Sequence, residues 1–286
     1  MSDLAAQSRR VLITGCSSGI GRRAAEILAE RGHHVVASLR NPADVADWPH
    51  AHIPAVQLDL DDPESIRAGL TAAVEAAGGP IEALFNNGAY GQPGAVEDLS
   101  RDTLRAQLET NLLGTLELTN LVIPSMREAG FGRIVQNSSV LGVSALAFRG
   151  AYVASKFALE GLSDTMRLEL AGSGIDVSLI EPGPITSRFR ANAQRAFEAN
   201  IDWQRSVHRE AYERQLERLK KPGPAAPFTL PPEAVVRRVI HAIESRRPKA
   251  RYPVTVPTYL FAVLKRLLTT RAMDRVLARA SGGGKR

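Results

Sequence analysis

Arg10-Val11-Leu12-Ile13-Thr14-Gly15-Cys16-Ser17-Ser18-Gly19-Ile20-Gly21 is an apolar run that breaks abruptly into glycines. A helical run over 22–31 follows, closed by Gly32, the residue type that most easily takes the left-handed turn after a helix. Strand, glycine-rich turn and helix in that order give the glycines a meaning, because together they make a phosphate cradle. Gly15 permits the tight turn, Gly19 lets the backbone approach a pyrophosphate, and Gly21 lets the helix pack on the strand. Ser17, Ser18 and Ile20 fill out the turn, where free N–H groups and the helix dipole favour an anion. The spacing is G-x-x-x-G-x-G, a departure from the G-x-G-x-x-G of the standard dinucleotide fingerprint.

Outward from this turn the chain alternates. Further strands are read at 33–38, 56–60, 81–85, 133–137 and 175–180, with 251–256 as a seventh. Between them lie helical runs: one started by Asp62 as cap and Pro63, one from Arg101 (capped by Ser100) to near Gly130, one over 151–170, and one over 232–245. Pro124 is expected to kink or end its run. Such alternation predicts an α/β fold, a doubly wound, Rossmann-like parallel sheet of about seven strands in a single domain over 1–257. The strands of such a sheet converge their carboxyl ends on one edge. The glycine turn, Asp59-Leu60, Asn87, Ser139 and Pro182-Gly183 should therefore face one crevice. Residues 188–230 break the alternation, carry many charges and end in Pro222, Pro224 and Pro227, so they read as a helical substrate lid.

The second strand ends in Ser38-Leu39-Arg40-Asn41. An acid there would bind the ribose 2′-hydroxyl of NAD, whereas Arg40 suits the 2′-phosphate of NADP. Asp59 reads either as a partner for the adenine amino group or as a second capping acid. Tyr152-Val153-Ala154-Ser155-Lys156 lies in the 151–170 helix, where positions i and i+4 share a face with Cβ atoms roughly 5–6 Å apart. A free phenol has a pKa of ~10, and an adjacent ammonium is expected to lower it, making an acid/base pair. On its own the pair is equally a tyrosine beside a solvated lysine; the converging strand ends favour the chemical reading.

The bulk numbers narrow the classes. The chain has 286 residues, 44% of them hydrophobic, enough for one large core. No apolar run approaches the ~18–20 residues of a membrane span. The polar residues 1–10 lack a signal-peptide core and Cys16 is the single cysteine, so a cytoplasmic location is expected and an intrachain disulfide is excluded. From Arg246 onward eleven Lys and Arg face one acid, Asp274, so this end holds +10 and the preceding residues −4 of the net +6. The body shows no basic and aromatic interleaving, so nucleic acid is not expected as a partner. Residues 258–286 form a basic amphipathic tail whose apolar face holds Tyr259, Leu260, Val263, Leu264, Leu267 and Leu268. It reads as a membrane-surface contact or as a helix docked on its own or a partner subunit. His50 and His52 lack further ligands at metal spacing, so no metal is expected, and Cys16 reads as a small residue filling a turn rather than a redox site.

Taken together, Thr14-Gly15-x-x-x-Gly19-Ile20-Gly21, Asp59, Asn86-Asn87, Asn111, Ser139 and Tyr152-x-x-x-Lys156 resemble the short-chain dehydrogenase/reductase family in order and spacing, over about residues 9–260. The glycine turn with Leu39-Arg40 looks like the NADP-preferring branch of 17β-hydroxysteroid and retinol dehydrogenases. Glu181-Pro182-Gly183-Pro184-Ile185 and Arg251-Tyr252-Pro253-Val254 are similar to bacterial NADP-dependent aldehyde reductases. The resemblance implies Asn111, Ser139, Tyr152 and Lys156 as the catalytic set. It implies a cofactor site from Gly15, Ser17, Ser18, Gly19, Ile20, Gly21, Arg40, Asp59, Leu60, Asn87, Tyr152, Lys156, Pro182, Gly183, Ile185 and Ser187. Two departures stand out: Asn86-Asn87-Gly88-Ala89 where the family has Asn-Asn-Ala-Gly, and Ser187 where it favours threonine, with Thr186 just before.

The expectation is an NADP(H)-dependent oxidoreductase acting on a small apolar aldehyde or ketone, with Ala145, Leu146, Phe148, Phe189 and Phe228 near the crevice. A hydroxysteroid or retinol-type dehydrogenase and a non-catalytic NADP(H) sensor are the alternatives. A homo-oligomer, dimer or tetramer, is expected as well.

Overall fold

A seven-stranded sheet runs through the molecule, every neighbouring pair parallel, in the order 3-2-1-4-5-6-7. The computed structural model describes residues 8–220 and 226–281. Residues 221–225, with Pro222 and Pro224 of the expected lid, and the last five of the tail lie outside the described residues.

In chain order the elements are β1 (Arg10–Ile13), α1 (Gly19–Glu30), β2 (His34–Leu39), α2 (Pro42–Ala46), β3 (Ala55–Gln57), α3 (Pro63–Ala76) and β4 (Ala83–Asn86). A short 3₁₀ turn, Val96–Asp98, leads to α4 (Arg101–Leu108), a π-turn (Glu109–Leu113), α5 (Gly114–Glu128), β5 (Gly132–Asn137) and α6 (Val140–Val143). Then come α7 (Gly150–Glu169), β6 (Ile175–Glu181), α8 (Phe189–Asn200), α9 (Arg209–Lys220), α10 (Glu233–Glu244), β7 (Arg251–Pro253), α11 (Val256–Leu267) and α12 (Thr270–Ala280). Among the described residues no helix is long and apolar enough to cross a membrane.

The near-continuous apolar strands follow from burial on both faces. Val11 and Ile13 point to the side covered by α1 and α10, where they meet Ala24, Leu28, Val235 and Val239. Leu12 points to the other side, with Ile66, Leu118, Val122 and Met166 of α3, α5 and α7. Helix starts are set by the caps the sequence announces: Glu64 N donates to Asp62 Oδ1 at 2.9 Å, and Thr103 N to Ser100 Oγ at 3.1 Å. Gly32, with φ 88°, closes α1.

The structure corrects three readings. First, β3 stops at Gln57, so Asp59 and Leu60 lie beyond the strand. Here the chain already turns toward α3, and Asp59 N donates to Ser65 Oγ at 3.0 Å. Second, Pro124 does not end its helix, since α5 runs through it to Glu128. The carbonyl a proline leaves unpaired, four residues back, belongs to exposed Asn120, while Leu118, Val122 and Met126 hold the helix down. Third, the run read from Arg101 to near Gly130 is divided by the π-turn into α4 and α5; beyond Ser139, whose hydroxyl accepts from Leu141 N at 3.1 Å, the short α6 begins.

The segment read as a lid forms α8 and α9, and it is pinned. Phe197, Ile201, Tyr212 and Leu216 form a small core with Ala95, and Leu99, Phe148 and Trp203 pack on it. Tyr212 OH donates to Asp98 Oδ2 at 2.5 Å and accepts from Ala95 N at 2.7 Å. Asn200 Nδ2 donates to Gln92 Oε1 at 2.8 Å.

Gly114 marks where the π-turn passes against the end of the β3 segment, and a Cβ there would overlap Leu60 O. Gly114→Ala is expected to destabilise the fold by roughly 1–3 kcal/mol, as overpacking against backbone does, measured by urea unfolding. A variant as stable as the parent would show that this contact is not tight.

Candidate active site

The crevice opens where β1 and β4, neighbours in the sheet, send their connections to opposite faces. Gly15 (φ 70°) and Gly19 (φ 61°) take left-handed backbone that side chains disfavour. A Cβ on Gly15 would lie 2.7 Å from Gly88 Cα, and one on Gly21 would lie 2.5 Å from Asn87 Nδ2. The cradle is thus locked by the β4 end. Asn87 Nδ2 donates to Thr14 O at 2.9 Å and Gly15 O at 3.2 Å. Thr14 Oγ1 accepts both Asn87 N (2.9 Å) and Gly88 N (2.8 Å). The Asn-Asn-Gly-Ala order has a local reason: a Cβ on Gly88 would crowd Leu60 Cδ1 at 3.0 Å. Asn137 Nδ2 donates to Asn87 Oδ1 at 3.0 Å and ties β5 into the same strap.

Ser139, Tyr152 and Lys156 come together at the end of β5. All three are buried, and the Ser139 hydroxyl lies close enough to the Tyr152 phenol to favour its ionised form. Because Ser139 Oγ already accepts the Leu141 N–H, its own proton is free to donate outward. Lys156 Nζ donates to Asn137 O at 2.7 Å and stands 5.7 Å from the Tyr152 ring centroid. The expected lowering of the phenol pKa by Lys156 is not what the structure gives. Burial pushes the phenol up to about 12, with the Ser139 hydroxyl opposing it. Burial also pushes the Lys156 ammonium down to about 8, opposed by the Glu160 carboxylate. Desolvation dominates both groups, and the ammonium is aimed at a carbonyl rather than at the phenol oxygen.

Asn111 sits in the π-turn, a distortion that recurs at functional sites. Its side chain accepts from Tyr90 N at 3.1 Å and donates to Tyr90 O at 2.9 Å and Ser155 Oγ at 3.2 Å. It therefore ties the segment after β4 to the tyrosine helix one residue before Lys156. Pro182 O accepts Val140 N at 2.7 Å, which seats the β6 loop beside Ser139. Ile185 bridges to Leu230, and a Cβ on Gly19 would lie 3.1 Å from Ser187 Cβ. Ser187 thus abuts the glycine turn, whereas Thr186 is exposed.

Arg40 is exposed at the end of β2, its charge felt by Asp61 and Tyr90. Asp59 Oδ1 accepts Asp61 N at 3.1 Å in a local turn before α3, whose cap is Asp62. Ser17, Ser18 and Ile20 line the turn half-buried. Cys16 is fully buried, its thiol donating to Ile13 O at 3.2 Å, and burial pushes it up to about 12, so it fills the turn. Of the apolar candidates, Phe189 packs edge-on to Tyr152 with ring centroids 5.4 Å apart. Phe148 belongs to the small lid core, Leu146 is half-buried, and Ala145 and Phe228 are exposed.

Sequence reasoning passed over Thr14 as a double acceptor, Asn137 as the Lys156 and Asn87 partner, and the cluster behind Lys156. In that cluster Arg251 of β7 bonds Glu160, Glu181 Oε1 at 2.9 Å and Asp164 Oδ2 at 2.6 Å. Thr14 and Asn137 stand at the ends of apolar strands, a signal that was available; the Arg251 cluster joins residues far apart in the chain and left none.

A family model described as short chain dehydrogenase matches residues 9–197. The uncharacterized oxidoreductase YbbO of Escherichia coli (strain K12) is 44% identical over 269 residues, 94% of each chain. Human 17-beta-hydroxysteroid dehydrogenase type 1 is 31% identical over 86% of this chain and 77% of its own. Among solved structures, actinorhodin polyketide ketoreductase with NADPH is similar at a TM-score of 0.70 and 27% identity, over 89% of this chain and 97% of its own.

The pH dependence follows from Lys156. Its ammonium form is lost as pH rises through about 8, and the Glu160 carboxylate is what holds that value up. Glu160→Gln is therefore expected to move the alkaline fall of kcat/KM on the order of one pH unit lower. An unmoved profile would show that the Lys156 charge does not depend on Glu160.

Proposed function

The chain belongs to the short-chain dehydrogenase family, and on that premise we propose that it is an NADP(H)-dependent oxidoreductase interconverting an apolar aldehyde or ketone and its alcohol. The observation that carries this reading is the burial of Ser139, Tyr152 and Lys156 together, with the Lys156 ammonium 5.7 Å from the Tyr152 ring, next to the glycine cradle. The cradle fits a dinucleotide, because Gly15 and Gly19 turn the backbone left-handed where the free N–H groups of the α1 start favour an anion. Gly15, Ser17, Ser18, Gly19, Ile20 and Gly21 would hold the pyrophosphate, and Asp59, Leu60 and Asn87 the adenosine side. Lys156, Pro182, Gly183, Ile185 and Ser187 would hold the nicotinamide half. NADP(H), when bound, supplies or accepts the hydride.

The chain's own residues handle the proton and the oxygen. In the reducing direction Tyr152 gives its proton to the developing alkoxide as general acid. A phenol held up to about 12 keeps its proton until the substrate oxygen becomes basic enough to take it. Ser139 donates to the same oxygen and stabilises charge where it appears. Lys156 keeps a positive charge near the phenol and binds ribose hydroxyls. Asn111 positions the Tyr90 segment and the Lys156 helix against each other. Phe189 against the Tyr152 ring favours an apolar carbonyl over a sugar. A non-catalytic sensor would need no Ser139, Tyr152 and Lys156 together, so the enzyme reading is preferred. Similarity to a hydroxysteroid dehydrogenase supports a bulky apolar ketone as a second substrate class. Exposed Leu121, Phe157 and Leu162 on α5 and α7 support association of copies.

Tyr152→Phe is expected to abolish NADPH oxidation with a panel of aldehydes, ketones and sterols, a loss of at least about a hundredfold, while fluorescence titration finds NADPH affinity nearly intact. Retained turnover would refute the acid assignment. The cofactor reading is tested by Leu39→Asp with Arg40→Ser, which is expected to raise the NADH to NADPH ratio of kcat/KM by tenfold or more, as loss of a charge-assisted phosphate pair would. An unchanged ratio would move the selector elsewhere.

A further inference from the structure

The terminal helices divide in two. α12 docks: Met273 is buried, and Ser281 Oγ accepts Ala147 N at 3.2 Å. α11 is held at its root, where Thr258 is buried and a Cβ on Gly183 would overlap Thr255 Oγ1. Its outer face is another matter. Val256, Tyr259, Leu260, Val263 and Leu267 are 48 to 75% exposed. They recur at the spacing of one helical face and make a stripe about 16 Å long. An isolated exposed leucine is ordinary, but a contiguous stripe on one helix is not.

The stripe has a charged surround. Lys265, Arg266, Arg271, Arg275 and Arg279 are all exposed, with Asp274 the one acid on these two helices. Among the described residues none of the five pairs with a carboxylate; Lys265 rests on the Phe157 ring at 4.6 Å. A second copy of this chain would bring the same cations against each other. An anionic lipid surface would offer both an apolar layer for the stripe and negative charge for its flanks.

We propose that α11 lies on anionic membrane surfaces, its Val256–Leu267 stripe in the headgroup boundary and Arg266, Arg271, Arg275 and Arg279 on the lipid phosphates. The helix is rooted beside Gly183, in the loop that carries Pro182 next to Ser139, so docking brings the rim of the site to the bilayer. The inference stands on α11 and α12 and does not need the catalytic reading.

The test is co-sedimentation of the full chain with vesicles of phosphatidylglycerol and phosphatidylethanolamine, against vesicles of phosphatidylcholine alone. Most of the protein is expected to pellet with the anionic vesicles and to stay in solution with the neutral ones. Salt near 0.5 M, which shortens screening to a few ångströms, should release a large part of it. The variant Leu260→Gln/Val263→Gln/Leu267→Gln is expected to pellet at least fivefold less, with Tm and gel-filtration mass unchanged, since these side chains are exposed. The proposal is overturned if the parent ignores anionic vesicles, or if the variant pellets like the parent. It is equally overturned if the variant drops to a smaller species, for then the stripe joins two copies.

Discussion

An ammonium kept away from water governs the active-site end of this molecule. Lys156 is buried, and burial alone would strip its proton at moderately alkaline pH. The surrounding structure counters that at two distances. Asn137 O takes one of its N–H bonds directly, and the Glu160 carboxylate one turn along the helix favours the charged form. Glu160 in turn is shared with Arg251, which also gathers Glu181 and Asp164. The last strand of the sheet is therefore bound electrostatically to the tyrosine helix. Removing one member of such a cluster leaves a buried charge without a partner, which is costlier than the pair itself was worth.

The same economy of position appears at the glycine turn. Thr14 and Asn87 close the β1 and β4 ends onto each other with bonds from backbone and side chain alike. These bonds lie within the chain, so folding itself sets much of the cradle's shape. The helices α8 and α9 are joined to the segment after β4 in the same manner, through Tyr212, Asp98 and Asn200.

Much of this was legible beforehand, for physical reasons. Strands buried on both faces read as apolar runs, and glycines between strand and helix have few other uses, so the parallel sheet and the cradle followed from pattern. The i, i+4 placement of Tyr152 and Lys156 follows from helix geometry alone. What escaped was long-range or context-bound. A proline such as Pro124 survives in a helix when its neighbours are well buried, and burial is a tertiary fact. The π-turn around Asn111 depends on Tyr90 and on the room that Gly114 leaves over Leu60. The sign of the phenol shift depends on how much water is displaced, which spacing along one helix does not encode. The Arg251 cluster spans residues 160 to 251 and has no local signature.

The bond from Ala147 to Ser281 joins the last described turn of the chain to the loop that launches α7. Whatever pulls on the carboxyl terminus is therefore felt where the phenol is aimed. An affinity tag appended there, or a shortened clone ending after β7, would alter the enzyme under assay, and an amino-terminal fusion is the safer preparation.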